Sequence, residues 1–225
     1  MRVLDLFCGA GGASRGIVDA GHSVEGVDNN FDLQEHYPYK LLVTDAIHYL
    51  DFIIENLEFA NHFEYDAFWA SPPCQAYSWA TTQWKNKGNE YPDLVDEVRQ
   101  RLIKIGKPFD LENVINAPLR KDLMLCMSMF DDGREFMVRR HRIFEIHGFE
   151  VPQPEHVKHV GRIGDGRILT VFGHGGGKRY RHASSKIDDW QIAMGIDWTR
   201  KRKYIAEAIP PSYSKYIMSF LKDKE

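Results

Sequence analysis

Short apolar runs, each closing on a turn or a carboxylate, alternate with amphipathic stretches over the first half of the chain. Val3-Leu4-Asp5-Leu6-Phe7 reads as a buried strand, followed by the glycine-rich turn Cys8-Gly9-Ala10-Gly11-Gly12 and a helix over Ala13 to Ala20. A second strand runs from Ser23 to Val27 and closes on Asp28. A third, Leu41 to Val43, ends at Thr44-Asp45, and a helical stretch follows from Ala46 to Ala60. Tyr65 to Ala70 is a further buried strand. This strand, helix, strand order predicts an α/β chain.

Beyond it, Asp93 to Ile105 has the spacing of an amphipathic helix, and Pro108 to Leu111 that of a strand ending on Glu112-Asn113-Val114. The apolar residues of Leu119 to Met129 suit a helix packed on the sheet. After the turn Asp131-Asp132-Gly133, Glu135 to Val138 and Arg139 to Ile146 suggest a hairpin whose alternation puts Arg140 and Arg142 on one face. From Pro152 to Ser185 His, Lys, Arg and Gly dominate, most densely in Gly173 to Arg181. Helices are expected over Asp189 to Met194, Arg200 to Glu207 and Ser214 to Leu221. There are no internal repeats.

The length, 225 residues with 43% hydrophobic, allows one substantial core or a core domain with a small appendage. Cysteines at 8, 74 and 126 form no even framework and show no ligand spacing, which fits a reducing, intracellular setting. The histidines at 156, 159, 174 and 182 lack a tight pattern, so no metal is expected. No apolar run approaches a membrane span and the chain opens directly on a strand, so the expected location is cytoplasmic. Charge refines this picture. Residues 1–133 carry 11 Lys and Arg against 21 Asp and Glu, whereas residues 134–215 carry 16 against 9. Either the basic back half meets a polyanion, or it is a solvated surface.

Cys74 stands in Ser71-Pro72-Pro73-Cys74-Gln75, where the prolines stiffen the connector leaving a strand's carboxyl end. Open α/β sheets keep their ligands at that rim. A lone cysteine is otherwise a small buried hydrophobe. The glycine turn followed by Asp28 is the local pattern of a nucleotide half-site, with glycines for close backbone approach and an acid for ribose hydroxyls, although the dinucleotide spacing is incomplete. Asp45 lies at the same rim, as a ligand or as a helix N-cap. Ala76 to Pro92, with Tyr77, Trp79, Trp84 and Tyr91, is long and irregular, as binding loops are. Arg140 and Arg142 require anions, from a target or from surface acids. The loop around Lys178, Arg179 and Arg181 is suited to phosphates or to solvent.

Five blocks together resemble the DNA cytosine-5 methyltransferase family, and they stand in that family's order. They are Asp5-Leu6-Phe7-Cys8-Gly9-Ala10-Gly11-Gly12, Pro72-Pro73-Cys74-Gln75-Ala76-Tyr77-Ser78, Glu112-Asn113-Val114, Arg139-Arg140-His141-Arg142-Ile143-Phe144 and Glu207-Ala208-Ile209-Pro210-Pro211. The resemblance covers residues 1–146 and 190–222, and the compactness looks like small phage-encoded members. It implies a Rossmann-like S-adenosylmethionine-dependent methyltransferase fold, a mostly parallel, mixed sheet flanked by helices, with residues 1–146 as catalytic and cofactor-binding domain. Residues 147–189 would be a small basic target-recognition segment, and 190–225 helices returning to the catalytic domain.

The implied reaction is methyl transfer from S-adenosylmethionine to C5 of a flipped-out cytosine in DNA, through a covalent adduct between Cys74 and C6, leaving S-adenosylhomocysteine. Cys74, Glu112, Arg140 and Arg142 would form the catalytic group. Nearby cations or a helix terminus would help ionise the thiol, and burial would raise the Glu112 pKa so that it can favour protonation at N3. Phe7, Gly9, Gly11, Gly12, Asp28, Asn29, Asp45 and Ala208 would bind the cofactor. Gln75, Ser78, Trp79, Gln83, Lys178, Arg179 and Arg181 would contact DNA, with Trp79 or Gln83 filling the space left by the flipped base. The implied partner is double-stranded DNA, in a bacterium or phage-infected host cell, with a monomeric enzyme and a cognate restriction enzyme as a further partner. The shortness of the basic segment implies a short recognition sequence or relaxed selectivity. Alternatives of the same fold are a tRNA-methylating enzyme and a DNA-binding protein without turnover. Two residues depart from the family pattern. Val138 stands where glutamine is usual and Glu207 where asparagine is usual.

Overall fold

The computed structural model describes residues 1–57, 65–78, 88, 90–156, 158–159, 166–172 and 186–222. Its centre is a seven-stranded sheet. In chain order the elements are β1 (Arg2–Leu6), α1 (Gly12–Asp19), β2 (Ser23–Asp28), β3 (Lys40–Val43), α2 (Ala46–Glu55), β4 (Ala67–Ala70), α3 (Val95–Ile105) and β5 (Phe109–Asn113). There follow β6 (Leu123–Leu125), β7 (Met137–Val138), β8 (Arg142–His147), β9 (Ile168–Leu169), α4 (Ile187–Met194), α5 (Arg202–Glu207) and α6 (Pro211–Met218).

The strand order is β3-β2-β1-β4-β5-β8-β6. The β3, β2, β1, β4 and β5 strands run parallel, and β8 lies antiparallel between β5 and β6. Strands buried on both faces read as nearly continuous apolar runs, which is why β1 and β4 are visible in the sequence. Alternate residues sort into two cores. Val3, Ala67, Trp69, Phe144 and Ile146 face α1, α4 and α6. Leu4, Leu6, Phe68, Ala70, Phe109 and Leu111 face α2 and α3. Trp190, Tyr213 and Ile217 from the C-terminal helices fill the first core.

Two local expectations need correction. Residues 119–129 form no long helix. Leu123 to Leu125 pair with Phe144 to Arg142 of β8, and a 3-10 helix covers only Met127–Phe130. Leu123 and Leu125 are buried with Met124 between them less so, a period of two that the surrounding apolar residues conceal. The hairpin expected over 135–146 is also absent. Its first half, β7, pairs in parallel with the distant β9, and its second half joins the main sheet. Between them the backbone is tied elsewhere, since the Tyr213 hydroxyl donates to the Arg140 carbonyl. Among the described residues, no helix is long and apolar enough to cross a membrane.

Candidate active site

The first half of the rim is built from backbone. Phe7 leaves β1 with φ 59°, and Gly9 and Gly11 follow at 51° and 84°. A positive φ at phenylalanine is held against strain by its surroundings. Here the ring packs against the core that contains Leu4 and Leu6. Asp28 closes the turn from β2, accepting from Gly9 N and Asn30 N, each at 3.0 Å. Trp198 Nε1 donates to Ala10 O at 2.7 Å from the far end of the chain. A Cβ on Gly9 would meet nothing within 4 Å, so this part of the turn faces open space. Gly12 is different, because a Cβ there would lie 2.2 Å from Ile209 O and 3.1 Å from Ala208 Cβ. Its missing side chain is thus accounted for by packing, which also brings Ala208 against the turn. Asp45 caps α2, with Oδ1 accepting from Ile47 N and His48 N at 2.9 and 3.0 Å. Asn29 is exposed beside Asp28.

Beneath this turn lies a carboxylate that the sequence pattern does not mark. Asp5 is fully buried in β1, accepts from the Ser14 hydroxyl, and is pushed up to about 7, chiefly by burial. Ser14 Oγ also lies 2.8 Å from the Tyr37 hydroxyl. Asp110 of β5, in the same sheet row as Asp5 and Trp69, is buried with neither oxygen hydrogen-bonded, and burial holds its pKa well above the usual carboxylate range. An apolar run in the sequence conceals such residues, because a protonated acid sits in it much like a neutral polar group.

The second half is built from charge. β4 delivers Ser71 to Cys74 at its carboxyl end, and Asn113 Nδ2 donates to Pro72 O at 3.0 Å, fastening the proline connector to β5. Tyr77 N and Ser78 N donate to Cys74 O at 3.0 and 2.9 Å, so the chain turns immediately after the thiol. Gln75 and Ser78 lie in or just after that turn and are partly exposed. Glu112 lies inside β5, one residue before its end, and is buried. Arg142, first residue of the antiparallel β8, reaches back to the same rim and places Nε 2.8 Å from Glu112 Oε1. Trp69 Nε1 donates to Ser71 Oγ at 2.9 Å, and the Ser71 hydroxyl in turn bonds the Glu112 carboxylate.

Arg140 precedes β8, so strand alternation does not place it beside Arg142. It is held instead by tertiary contacts, its guanidinium donating to Ala206 O at 2.7 Å and Val171 O at 3.4 Å. The two arginines nevertheless act on the same groups. Burial pushes Glu112 up while Arg142 and Arg140 pull it down, with a net rise. Burial also raises the Cys74 thiol, outweighing the lowering effect of Arg142 and Arg140, and Glu112 adds to the rise. The expected cations are therefore present, but they do not bring the thiol below its ordinary value. Arg140 itself is lowered to about 9 by desolvation and by Arg142.

Glu207, the last residue of α5, is exposed, and Val138 is buried in β7. Trp79, Gln83, Lys178, Arg179 and Arg181 lie outside the described residues. The fold also gathers Cys126, His141, His156 and His159, which come from three separate places in the chain.

Sheet order, glycine turn and rim-mounted acids define a Rossmann-like fold of the S-adenosylmethionine-dependent methyltransferase class. The family model for C-5 cytosine-specific DNA methylases matches residues 1–153, and the chain belongs to that family, whose methyl donor is S-adenosylmethionine. A search of curated proteins finds no match. Among solved structures, S. pombe Dnmt2 methyltransferase is similar at 13% identity, covering 97% of each chain with a TM-score of 0.61. The Entamoeba histolytica methyltransferase EhMeth is similar at 14% identity over 100% of this chain and 99% of its own, with a TM-score of 0.59. A candidate DNA modification methyltransferase encoded within an E. coli prophage shares 21% identity over 71% of this chain, with a TM-score of 0.49. The present chain spans about half, 52%, of that prophage protein's length. These identities speak for the fold alone.

Proposed function

We propose that the chain methylates C5 of cytosine in DNA, with Cys74 as nucleophile. The observation that carries this reading is the electrostatic meeting of a half-buried thiol with a buried glutamate and two guanidinium groups at one sheet rim. The Cys74 thiolate adds to C6 of the base, forming an S–C6 bond and moving the ring's electron pair to C5. Glu112, raised by burial, holds a proton near N3 and the exocyclic amine, which draws electrons from C6 and lowers the barrier to addition. After C5 has gained its methyl group, a water molecule takes the C5 proton, that bond's electron pair forms C5=C6 and expels the thiolate, and N3 returns its proton to Glu112, restoring the aromatic ring. Arg142 keeps Glu112 oriented through their contact, and with Arg140 supplies positive charge that favours the thiolate.

Bound S-adenosylmethionine supplies a methyl group on a positively charged sulfur and leaves as S-adenosylhomocysteine. The open face at Gly9 and the acids closing the rim suit it. Asp28 would take the ribose hydroxyls and Asp45 the adenine amine through the oxygen not used in capping. Phe7 would stack on adenine, with Gly11, Asn29 and Ala208 lining the approach and Gly12 setting its packing. Because the target carbon is inaccessible in a stacked duplex, the base would flip out under the loop that carries Gln75, Ser78, Trp79 and Gln83. The basic segment with Lys178, Arg179 and Arg181 would hold phosphates. Residues 147–189 would form the recognition segment and 190–225 complete the catalytic body.

The test is incubation with S-adenosylmethionine and duplex DNA containing 5-fluorocytosine. A denaturant-stable protein–DNA adduct is expected, and it should vanish in Cys74→Ala. Adduct formation with the matching RNA but not with DNA would overturn the assignment of substrate, and its absence from both would overturn the assignment of Cys74.

A further inference from the structure

Beside the catalytic rim, but not part of it, lies the group formed by Cys126, His141, His156 and His159. Each offers one ligand atom, and these atoms all lie within 4.8 Å of one another. Cys126 is fully buried after β6, and its Sγ is 3.3 Å from His159 Nε2. His141 Nε2 is 3.2 Å from His156 Nε2. The three imidazoles stand with ring centroids 4.9 to 5.3 Å apart.

Packing explains this poorly. When two Nε2 atoms face each other at hydrogen-bond distance, only one can carry the shared proton, so the other presents a lone pair. Imidazole nitrogens and a thiol that converge from separate segments are the donor set of a borderline-soft divalent ion. In a tetrahedral zinc site, bonds of roughly 2.0 Å to nitrogen and 2.3 Å to sulfur put neighbouring ligand atoms about 3.3 to 3.6 Å apart. The two closest pairs already stand at 3.2 and 3.3 Å. The wider separations close by rotation of the imidazole side chains, of which His156 is exposed and His141 and His159 are partly exposed.

We propose that Cys126, His141, His156 and His159 bind one zinc ion as a closed, structural site of one thiolate and three imidazoles. Four protein ligands leave no open position for a reacting water, so the role is mechanical. The site ties His156 and His159, at the start of the basic segment, to β6 and to the linker between Arg140 and Arg142. Zinc binding stands independently of the proposed methyl transfer. Only its consequence, a firmer placement of the two arginines, rests on that reading.

The experiment measures metal content in the full chain purified without chelator, followed by removal of metal and titration with zinc and with cobalt(II). About one zinc per chain is expected, and the cobalt form should show the intense visible bands of a tetrahedral site together with a thiolate charge-transfer band. Cys126→Ser should remove the charge-transfer band. Because a buried substitution can prevent folding, His156→Ala on the exposed side serves as the second variant, and should weaken zinc at least about tenfold while circular dichroism stays native. A folded wild-type chain that takes up no zinc, a weak octahedral cobalt spectrum, or equal affinity in wild type and His156→Ala would each overturn the proposal. These readouts are independent of DNA and of methyl transfer, so failure of one reading does not imply failure of the other.

Discussion

The two halves of the catalytic rim are made from different materials. Around β1, β2 and α1 the chain is shaped by backbone: positive φ at Phe7, Gly9 and Gly11, amides donated to Asp28, and helices packed so closely that Gly12 and Gly16 have no room for a Cβ. Around β4, β5 and β8 it is shaped by buried charge, with Arg142 against Glu112 and Arg140 held on carbonyl oxygens of remote segments. Backbone geometry is set by local sequence and tolerates little change in volume. Buried charge depends on partners far along the chain and is costly when one is lost. Filling the packed glycines of the first half should therefore chiefly alter stability, whereas substitutions at Cys74 and Glu112, the groups proposed to meet the base, should chiefly alter rate.

The largest effect is expected from Cys74→Ala, which should reduce methyl transfer from labelled cofactor below detection while shifting stability by less than about 1 kcal/mol, since the thiol is only half-buried. Comparable loss of folding would show that the charged half is structural after all. Glu112→Gln comes next, with a fall in kcat on the order of 10²- to 10⁴-fold and a smaller change in DNA affinity. A stopped-flow adduct assay separates these, and an unchanged kcat would remove Glu112 from the chemistry.

Asp5 tests the opposite half. Its carboxyl, at about 7 in the folded chain against 3.8 as the ordinary value, keeps a proton that the unfolded chain releases. Its stabilising contribution is thus present in full below the unfolded value and is lost as pH rises toward 7. Denaturant unfolding should show this as a decline of at most about 4 kcal/mol between pH 4 and 8, to be read as the difference between wild type and Asp5→Asn. Asp110 and Glu112 are raised as well and act with the same sign, so only that difference isolates Asp5. Identical slopes in the two proteins would contradict a retained proton.

Gly16→Ala should cost about 2 kcal/mol, because its Cβ would stand 2.0 Å from Pro211 O and 2.2 Å from Ser214 Oγ. A lowered melting temperature with an unaltered pH–rate profile would support the division, whereas a stable but slow variant would break it. The smallest change concerns reactivity. Arg142 is the strongest cationic influence lowering the Cys74 thiol, so Arg142→Gln should move its ionisation further upward. The pH dependence of iodoacetamide alkylation at Cys74 reads this directly, and an unmoved profile would show that Arg142 acts on Glu112 alone.

Much of the parallel half is legible from the chain alone. The runs at Val3 to Phe7 and Ser23 to Asp28, the glycine turn and the proline connector before Cys74 carry their geometry in neighbouring residues. Asp45 is readable as an N-cap for the same reason, and it does cap α2. The stretch from 119 to 146 is misleading about pairing, because β6 takes its place from β8, β7 from β9 and β8 from β5, all through partners outside the segment's own local pattern. Asp5 and Asp110 do not announce themselves as buried acids, since nothing local marks a carboxylate whose surroundings are set by strands far along the chain.

By itself, then, the sequence determined the strand and helix periodicity, the turn chemistry and the order of the five blocks that carry the resemblance, because each is written within a few adjacent residues. The tertiary structure decided which of these side chains meet. Arg140 reaches the rim through Ala206 and Tyr213, Arg142 meets Glu112 only because β8 runs antiparallel beside β5, and Cys126 finds three histidines up to 33 residues away. Such meetings depend on strand direction and long-range packing, and a periodic pattern along one segment does not record them.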